Sequence, residues 1–121
     1  MVRFQVGPQK DELCGSSFLF FYWMIGCYII FSEKLKKFYT GSTQDDLEER
    51  IKKHNDGSYG GHRYTSTAND WKLYLFIDTR YYKEAVAIER HIKAMKSSIY
   101  IKNLKKYPIM IEGLKAKYQS N

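Results

Sequence analysis

The sequence GCYIIFSEKLKKFYTG, residues 26–41, has the pattern of a β-hairpin. Its β-branched and aromatic run from Cys27 to Ser32 predicts a strand, SEKLKK predicts a turn, and KFYTG predicts a second, antiparallel strand. If the turn is centred near Glu33–Lys34, Tyr28 lies directly opposite Tyr39 and both rings share one face of the sheet. A Gly-x-Tyr and a Tyr-x-Gly thus bracket the hairpin with ten residues between them, which indicates an organisation for more than packing.

The segment STQDDLEERIKKHN, residues 42–55, has the pattern of an amphipathic helix. Either Ser42 or Thr43 is predicted to cap its N-terminus, because a side-chain oxygen there satisfies a free backbone N–H group. Arg50 and His54 are four residues apart, so they lie one turn from each other on one edge of the helix and can converge on a single ligand.

The segment WKLYLFI, residues 71–77, alternates apolar and other positions and predicts a third, half-buried strand. Its buried face is predicted to consist of Trp71, Leu73, Leu75 and Ile77. The elements in this order predict an α/β protein of the α+β type, with a small, mainly antiparallel three-stranded sheet flanked by helices.

The segment YYKEAVAIERHIKAMK, residues 81–96, predicts a second amphipathic helix. Its apolar stripe consists of Ala85, Ile88, Ile92 and Met95. Glu84 and Glu89 flank this stripe on opposite sides, and the periodicity does not choose which of them reaches inward. After this helix, a short helix, a break at Pro108 and a final short helix are predicted.

Charge is concentrated at the C-terminal end of the chain. The net charge is +7, and seven lysines against one glutamate give residues 91–121 a charge of +6. A localised basic surface on a compact domain favours a nucleic-acid partner. The alternative is a solvated lysine-rich tail without a binding role.

The 121 residues fit one domain, predicted to span residues 24–121. Residues 1–23 are interpreted as a leader of uncertain status, either a start called too early or an N-terminal arm. The uncharged run from Phe18 to Phe31 is shorter than the about 20 residues of a spanning helix, although a membrane-associated small protein stays an alternative. The two cysteines, Cys14 and Cys27, do not have a metal-ligand spacing, which favours a reducing, cytoplasmic setting.

Together, the Gly26–Tyr28 and Tyr39–Gly41 triplets resemble the paired signature of the GIY-YIG nuclease superfamily. The segments LEERIKKHN, YTSTANDWKL and EAVAIERHIKAMKS extend the similarity to the small stand-alone bacterial members. Cys27 and Thr40 replace the central isoleucines of the two triplets. Both positions face away from the tyrosines in a strand, so they are predicted only to pack.

This resemblance implies a metal-dependent endonuclease that hydrolyses DNA phosphodiester bonds. Glu89 would hold one divalent ion, Mg²⁺ or alternatively Mn²⁺, and Arg50 would bind the scissile phosphate through its guanidinium. Tyr28 and Tyr39 would orient the nucleophilic water. Either a tyrosine or His54 would be the general base, because a free phenol with a pKa of about 10 is a poor base at neutral pH.

Further substrate contacts are predicted along the basic end of the chain, in the polar loop after the first helix and at the glycine of the second triplet. The protein is taken as a monomer that binds DNA and no membrane. The alternative function is a nucleic-acid-binding module that has the same fold and no turnover. The predicted substrate-binding residues are Gly41, His62, Arg63, Lys93, Lys96, Lys102, Asn103, Lys105 and Lys106.

Overall fold

Three strands and four helices follow one another along the chain in a computed structural model that describes residues 24–57 and 68–120. The leader at residues 1–23 and the predicted contacts His62 and Arg63 lie outside the described residues. The elements are β1 (Gly26–Ser32), β2 (Lys37–Thr43), α1 (Leu47–Asp56), β3 (Trp71–Asp78), α2 (Tyr82–Met95), α3 (Ser98–Lys106) and α4 (Pro108–Tyr118).

The three strands form one antiparallel sheet in the order β2-β1-β3. This is the predicted fold class. Helix α1 covers one face of the sheet, where Tyr28, Trp71 and Leu47 belong to one core cluster. Helices α2, α3 and α4 cover the other face, where a second cluster includes Ile29 and Ile88. Because β1 is central, β2 and β3 are the edge strands of the sheet that the described residues form.

The turn of the hairpin is centred one residue later than predicted, which changes the strand register. Tyr28 pairs with Gly41, and Tyr39 pairs with Ile30, so the prediction that Tyr28 lies opposite Tyr39 is wrong. The turn is centred between Lys34 and Leu35, because Ser32 pairs with Lys37. The turn still has an even number of residues, so both tyrosines share one face of the sheet, as predicted.

One residue of β3 interrupts the predicted alternation. Ile30 pairs with Leu73 and Ile29 pairs with Leu75, which leaves Tyr74 as the extra residue of a β-bulge. Trp71 and Leu73 therefore pack on the α1 face, whereas Leu75 and Ile77 pack on the opposite face. The prediction of a single buried face for this strand is wrong for this reason.

The N-cap of helix α1 lies three to four residues after the proposed caps. Asp46 is the N-cap residue, and its side chain accepts a hydrogen bond from the backbone N–H of Glu49. Ser42 and Thr43 do not cap the helix because β2 continues through both of them. The helix ends at Asp56 and is capped by Gly57, whose φ of 77° lies in the left-handed region that glycine adopts easily.

The C-terminal half follows the predicted pattern with one exception. Ala85, Ile88 and Ile92 of α2 are buried, but Met95 is the last residue of the helix and is 45% exposed. Pro108 occupies the first turn of α4, where its missing N–H removes no helical hydrogen bond. The break between α3 and α4 therefore lies where it was predicted.

The uncharged run that ends at Phe31 includes most of the central strand. Residues 26–31 of that run belong to β1, which is hydrogen-bonded on both sides. Among the described residues, none of the helices combines the length and the apolar composition that crossing a membrane requires.

Candidate active site

Tyr28 and His54 form a buried pair on the α1 face of the sheet. The hydroxyl oxygen of Tyr28 lies 2.8 Å from Nε2 of His54, a hydrogen-bond distance. Each residue is only 2% exposed. The strand places the phenol and the helix places the imidazole, so their contact fixes α1 against β1.

Gly41 makes room for this pair. A β-carbon at Gly41 would lie 2.7 Å from the outer ring atom and the hydroxyl oxygen of Tyr28, closer than such atoms approach in proteins. The ring therefore lies over the backbone of its register partner. The glycine of the second triplet has a structural role, which is to let the Tyr28 ring cross β2.

Tyr39 lies on the same face and completes an aromatic cluster. Its ring centre is 4.9 Å from that of His54 and 6.4 Å from that of Tyr28. Tyr39 is half-buried, so its ring is the more accessible of the two tyrosine rings. The structure thus brings both predicted tyrosines and the predicted histidine together.

Arg50 lies one helical turn before His54, as the spacing predicted. Its side chain is 30% exposed, and Nη2 lies 3.7 Å from Oδ1 of Asp45. Asp45 itself is exposed. An ion pair this long and this exposed contributes about 0–1 kcal/mol, so this pair by itself holds the guanidinium only weakly.

Asn55 holds α1 in place and was missed by the sequence analysis. Its side-chain carbonyl accepts a hydrogen bond from the backbone N–H of Trp71 at 2.6 Å, and its amide donates to the Trp71 carbonyl at 3.0 Å. The only signal in the sequence was its position beside His54 at the end of the helix. This pairing ties the C-terminal turn of α1 to the start of β3.

Glu89 lies on the opposite face of the sheet from the tyrosines. The hydroxyl of Ser42, on β2, donates a hydrogen bond to Oε1 of Glu89 at 2.5 Å. The ammonium of Lys93, one turn further along α2, lies 2.6 Å from Oε2. Ser42 was missed as a site residue because it was assigned to a helix cap.

The two halves of the site meet around the edge strand. Along β2, Tyr39 and Gly41 face α1, whereas Ser42 faces α2, because successive residues of a strand alternate between faces. The ammonium of Lys93 lies 5.6 Å from the centre of the Tyr39 ring. Lys93 therefore connects Glu89 to the aromatic cluster past β2, an outer strand of the sheet that the described residues form.

Glu84 is committed to the C-terminal end of the chain. Its carboxylate accepts hydrogen bonds from the backbone N–H and hydroxyl of Ser120 and from the backbone N–H of Arg80. The hydroxyl and backbone N–H of Ser120 are the main reasons that the pKa of Glu84 is lowered to about 2. Of the two glutamates that the periodicity left open, Glu89 is the one that reaches β2.

A model of the GIY-YIG catalytic domain matches residues 24–106, which is more than half of the chain. The chain belongs to the GIY-YIG family. This is a nuclease-type family whose members act on DNA and generally use divalent metals. Neither a curated protein nor a solved structure matches the chain.

The GIY-YIG signature falls on the two strands of the hairpin. Its central positions, Cys27 and Thr40, are buried on the face opposite the tyrosines, as predicted. Cys27 is a free thiol. Burial, followed by the nearby charge of Glu89, raises the pKa of this thiol, so it stays protonated and packs as an apolar group.

The donor groups around Glu89 fit a hard divalent cation. Over residues 24–57 and 68–120, no three His, Cys, Asp or Glu side chains are grouped as metal ligands. Glu89 and Ser42 nevertheless supply carboxylate and hydroxyl oxygens, and the Lys93 ammonium shows that a cation fits beside Oε2. Mg²⁺ keeps several waters and needs few protein ligands, which is compatible with this set.

The other predicted lysines lie at the end of α2 and on α3. Lys96, Lys102, Lys105 and Lys106 are exposed, and the ammonium of Lys105 lies 4.3 Å from the centre of the Tyr74 ring. Asn103 is half-buried, and its backbone carbonyl accepts a hydrogen bond from Tyr107. Their assignment to DNA stays a prediction.

Proposed function

We propose that this GIY-YIG protein is a metal-dependent endonuclease that hydrolyses DNA phosphodiester bonds. The observation that supports this most directly is the arrangement around β2. A hydrogen-bonded Tyr28–His54 pair lies on one face, the Glu89 carboxylate lies on the other, and Lys93 bridges the edge between them. The groups suited to proton transfer and those suited to charge stabilisation are thus different side chains, and both sets lie close to β2.

The Tyr28–His54 pair is suited to deprotonating a water molecule. In a neutral imidazole with its proton on Nδ1, Nε2 accepts the hydrogen bond from the Tyr28 hydroxyl. The phenol oxygen can then take a proton from water while it passes its own proton to Nε2. This relay gives a phenol with an ordinary pKa of about 10 the basic partner that it needs at neutral pH.

Tyr39 is proposed to orient the attacking water from the more exposed side of the same cluster. Its ring packs 4.9 Å from the His54 ring, so its position is fixed by the same histidine. Orientation of this kind lowers the barrier by holding reacting atoms in a near-attack geometry.

Arg50 is proposed to bind the scissile phosphate. Its guanidinium is always charged and can donate two parallel hydrogen bonds to phosphate oxygens. One of its partners is the exposed Asp45 at 3.7 Å, an ion pair of a kind that contributes about 0–1 kcal/mol. The interaction with the phosphate would strengthen as negative charge develops in the transition state.

Glu89 is proposed to hold one divalent ion, Mg²⁺ with Mn²⁺ as a substitute. When bound, such an ion stabilises the charge on the phosphate and on the leaving oxygen. Ser42 orients the carboxylate through Oε1, so one face of the group is fixed by the protein. Gly41, His62, Arg63, Asn103 and the lysines of the basic end are proposed as substrate contacts.

Nicking of supercoiled plasmid by the full chain tests this function. Relaxed circles should form with Mg²⁺ or Mn²⁺ and should not form with EDTA. Binding to DNA without nicking in either metal would favour the alternative, a nucleic-acid-binding module with this fold and no turnover.

A further inference from the structure

Lys93 forms an ion pair with Glu89, the carboxylate that is proposed to bind the metal. Its ammonium lies 2.6 Å from Oε2 of Glu89, and Oε1 accepts the hydrogen bond from Ser42. Both oxygens of the carboxylate therefore have a partner within the protein. An ion that binds Oε2 directly must replace the ammonium or lie close beside it.

We propose that Lys93 is an internal cation that competes with the divalent metal for Glu89, so that metal binding displaces the lysine. This inference rests on the proposed function, in which Glu89 is the metal ligand. A dication and an ammonium at one oxygen repel each other, and the shielding by water is incomplete because Glu89 is only 19% exposed. Each cation therefore weakens the binding of the other.

The lysine has the freedom to leave. Its side chain is 49% exposed, and its flexible four-carbon stem lets the ammonium move while the backbone of α2 stays in place. The face of the Tyr39 ring, 5.6 Å from the ammonium, offers a second favourable position through a cation–π contact. Displacement thus requires a change in one side chain and no rearrangement of the fold.

A purely structural ion pair would behave differently. Pairs of this i, i+4 type on a helix surface contribute little, and their removal changes an equilibrium by about twofold. Removal of a competing cation should instead strengthen metal binding, because it frees the carboxylate of Glu89 and lowers the repulsion of the metal ion. Loss of the ammonium is therefore predicted to tighten metal binding rather than weaken it.

The first test measures Mn²⁺ binding to the full chain without DNA. Electron paramagnetic resonance quantifies the free ion. Lys93→Met should lower the Kd about fivefold to tenfold at low salt and by less as the salt concentration rises. Lys83→Met, an exposed lysine at the start of the same helix, is the matched control for net charge and should leave the Kd unchanged. Lys93→Arg keeps the charge and should bind Mn²⁺ like the original protein.

Glu89→Gln distinguishes a failure of the metal assignment from a failure of the competition. If this variant loses Mn²⁺ binding while Lys93→Met has the same Kd as Lys83→Met, Glu89 is the ligand and the competition is wrong. If Glu89→Gln binds Mn²⁺ normally, the metal assignment fails and the competition fails with it. A lower Kd confined to Lys93→Met supports the inference.

A second measurement uses the unmodified protein and does not depend on the folding of any variant. The rate at which an acetylating reagent modifies each lysine is read by mass spectrometry. Lys93 should react faster with saturating Mg²⁺ than with a monovalent salt of equal ionic strength, and Lys83 should not change. An unchanged rate at Lys93 would overturn the displacement.

Discussion

The ring of Tyr28 lies over the backbone of Gly41, its register partner on the neighbouring strand. A β-carbon at Gly41 would lie 2.7 Å from the ring and its hydroxyl. The ring cannot move aside easily, because Tyr28 is 2% exposed and its hydroxyl contacts His54. The two residues that mark the family signature therefore determine each other's positions.

Gly41→Ala is expected to destabilise the protein and to disturb the site. Overpacking of this kind lowers the free energy of unfolding by about 1–3 kcal/mol, and a displaced Tyr28 would lose its alignment with His54. Urea denaturation and plasmid nicking measure the two effects. Gly113→Ala is the control, because a β-carbon there meets nothing within 4 Å and alanine favours the helix. Equal stability of the two variants would contradict the role of Gly41.

Tyr28→Phe tests the proton relay with a change of one oxygen atom. Nicking is expected to fall by about two to four orders of magnitude, because a general acid–base contribution is lost. The chain offers a matched control in Tyr118→Phe, since the Tyr118 hydroxyl lies 2.9 Å from Nδ1 of His91 in another tyrosine–histidine pair. That variant should nick normally. Similar activity of both variants would exclude Tyr28 from the chemistry.

Short-range patterns in the sequence predicted the elements, but they did not predict the contacts that depend on strand register. The triplets and their separation were sufficient for the hairpin and for a shared face of Tyr28 and Tyr39. The partner of Tyr28 depends on where the turn closes, and a shift of one position replaced Tyr39 by Gly41. No local pattern determines that shift.

The bulge at Tyr74 and the role of Ser42 escaped prediction for a related reason. A bulge changes the face of every later residue in β3, although the apolar alternation along the sequence continues unbroken. Ser42 has the composition of a helix cap, but the sheet extends through it and directs its hydroxyl to Glu89. The choice between Glu84 and Glu89 likewise required the tertiary structure, because both flank the same stripe.

The lysines of α3 are expected to set the salt dependence of DNA binding. Replacement of Lys102, Lys105 and Lys106 by glutamine should weaken binding and reduce the slope of log K against log salt by up to about 0.9 per lost phosphate contact. Fluorescence anisotropy at several salt concentrations measures this. The corresponding change of Lys52, Lys53 and Lys83, exposed on α1 and α2, is the control for net charge. An equal loss of slope in both variants would show that only overall charge matters.

The lowered pKa of Glu84 predicts that the protein loses stability in acid. Its pKa is lowered to about 2 in the folded protein, from an ordinary value of 4.5, mainly by hydrogen bonds from Ser120. A carboxylate with a lowered pKa stabilises the fold above its unfolded pKa, and this contribution is lost as the pH falls from about 4.5 towards about 2. Glu84→Gln should therefore be less stable than the original protein at pH 7 and closer to it at pH 3, measured by denaturant unfolding. A constant difference between the two pH values would contradict the assignment.

Glu89→Gln separates chemistry from binding. The amide keeps the shape of the side chain and can still accept a hydrogen bond from Ser42, but it lacks the charge that a divalent ion requires. Nicking should therefore fall by orders of magnitude, while DNA affinity measured in EDTA should stay level or rise because a negative charge has left the site. Glu112→Gln, on the exposed surface of α4, makes the same chemical change and should retain activity. Glu84 is unsuitable as that control because its carboxylate binds Ser120 and Arg80. If Glu89→Gln nicks DNA at the rate of Glu112→Gln, the metal is held elsewhere and the carboxylate beside Ser42 only supports the packing of α2 against β2.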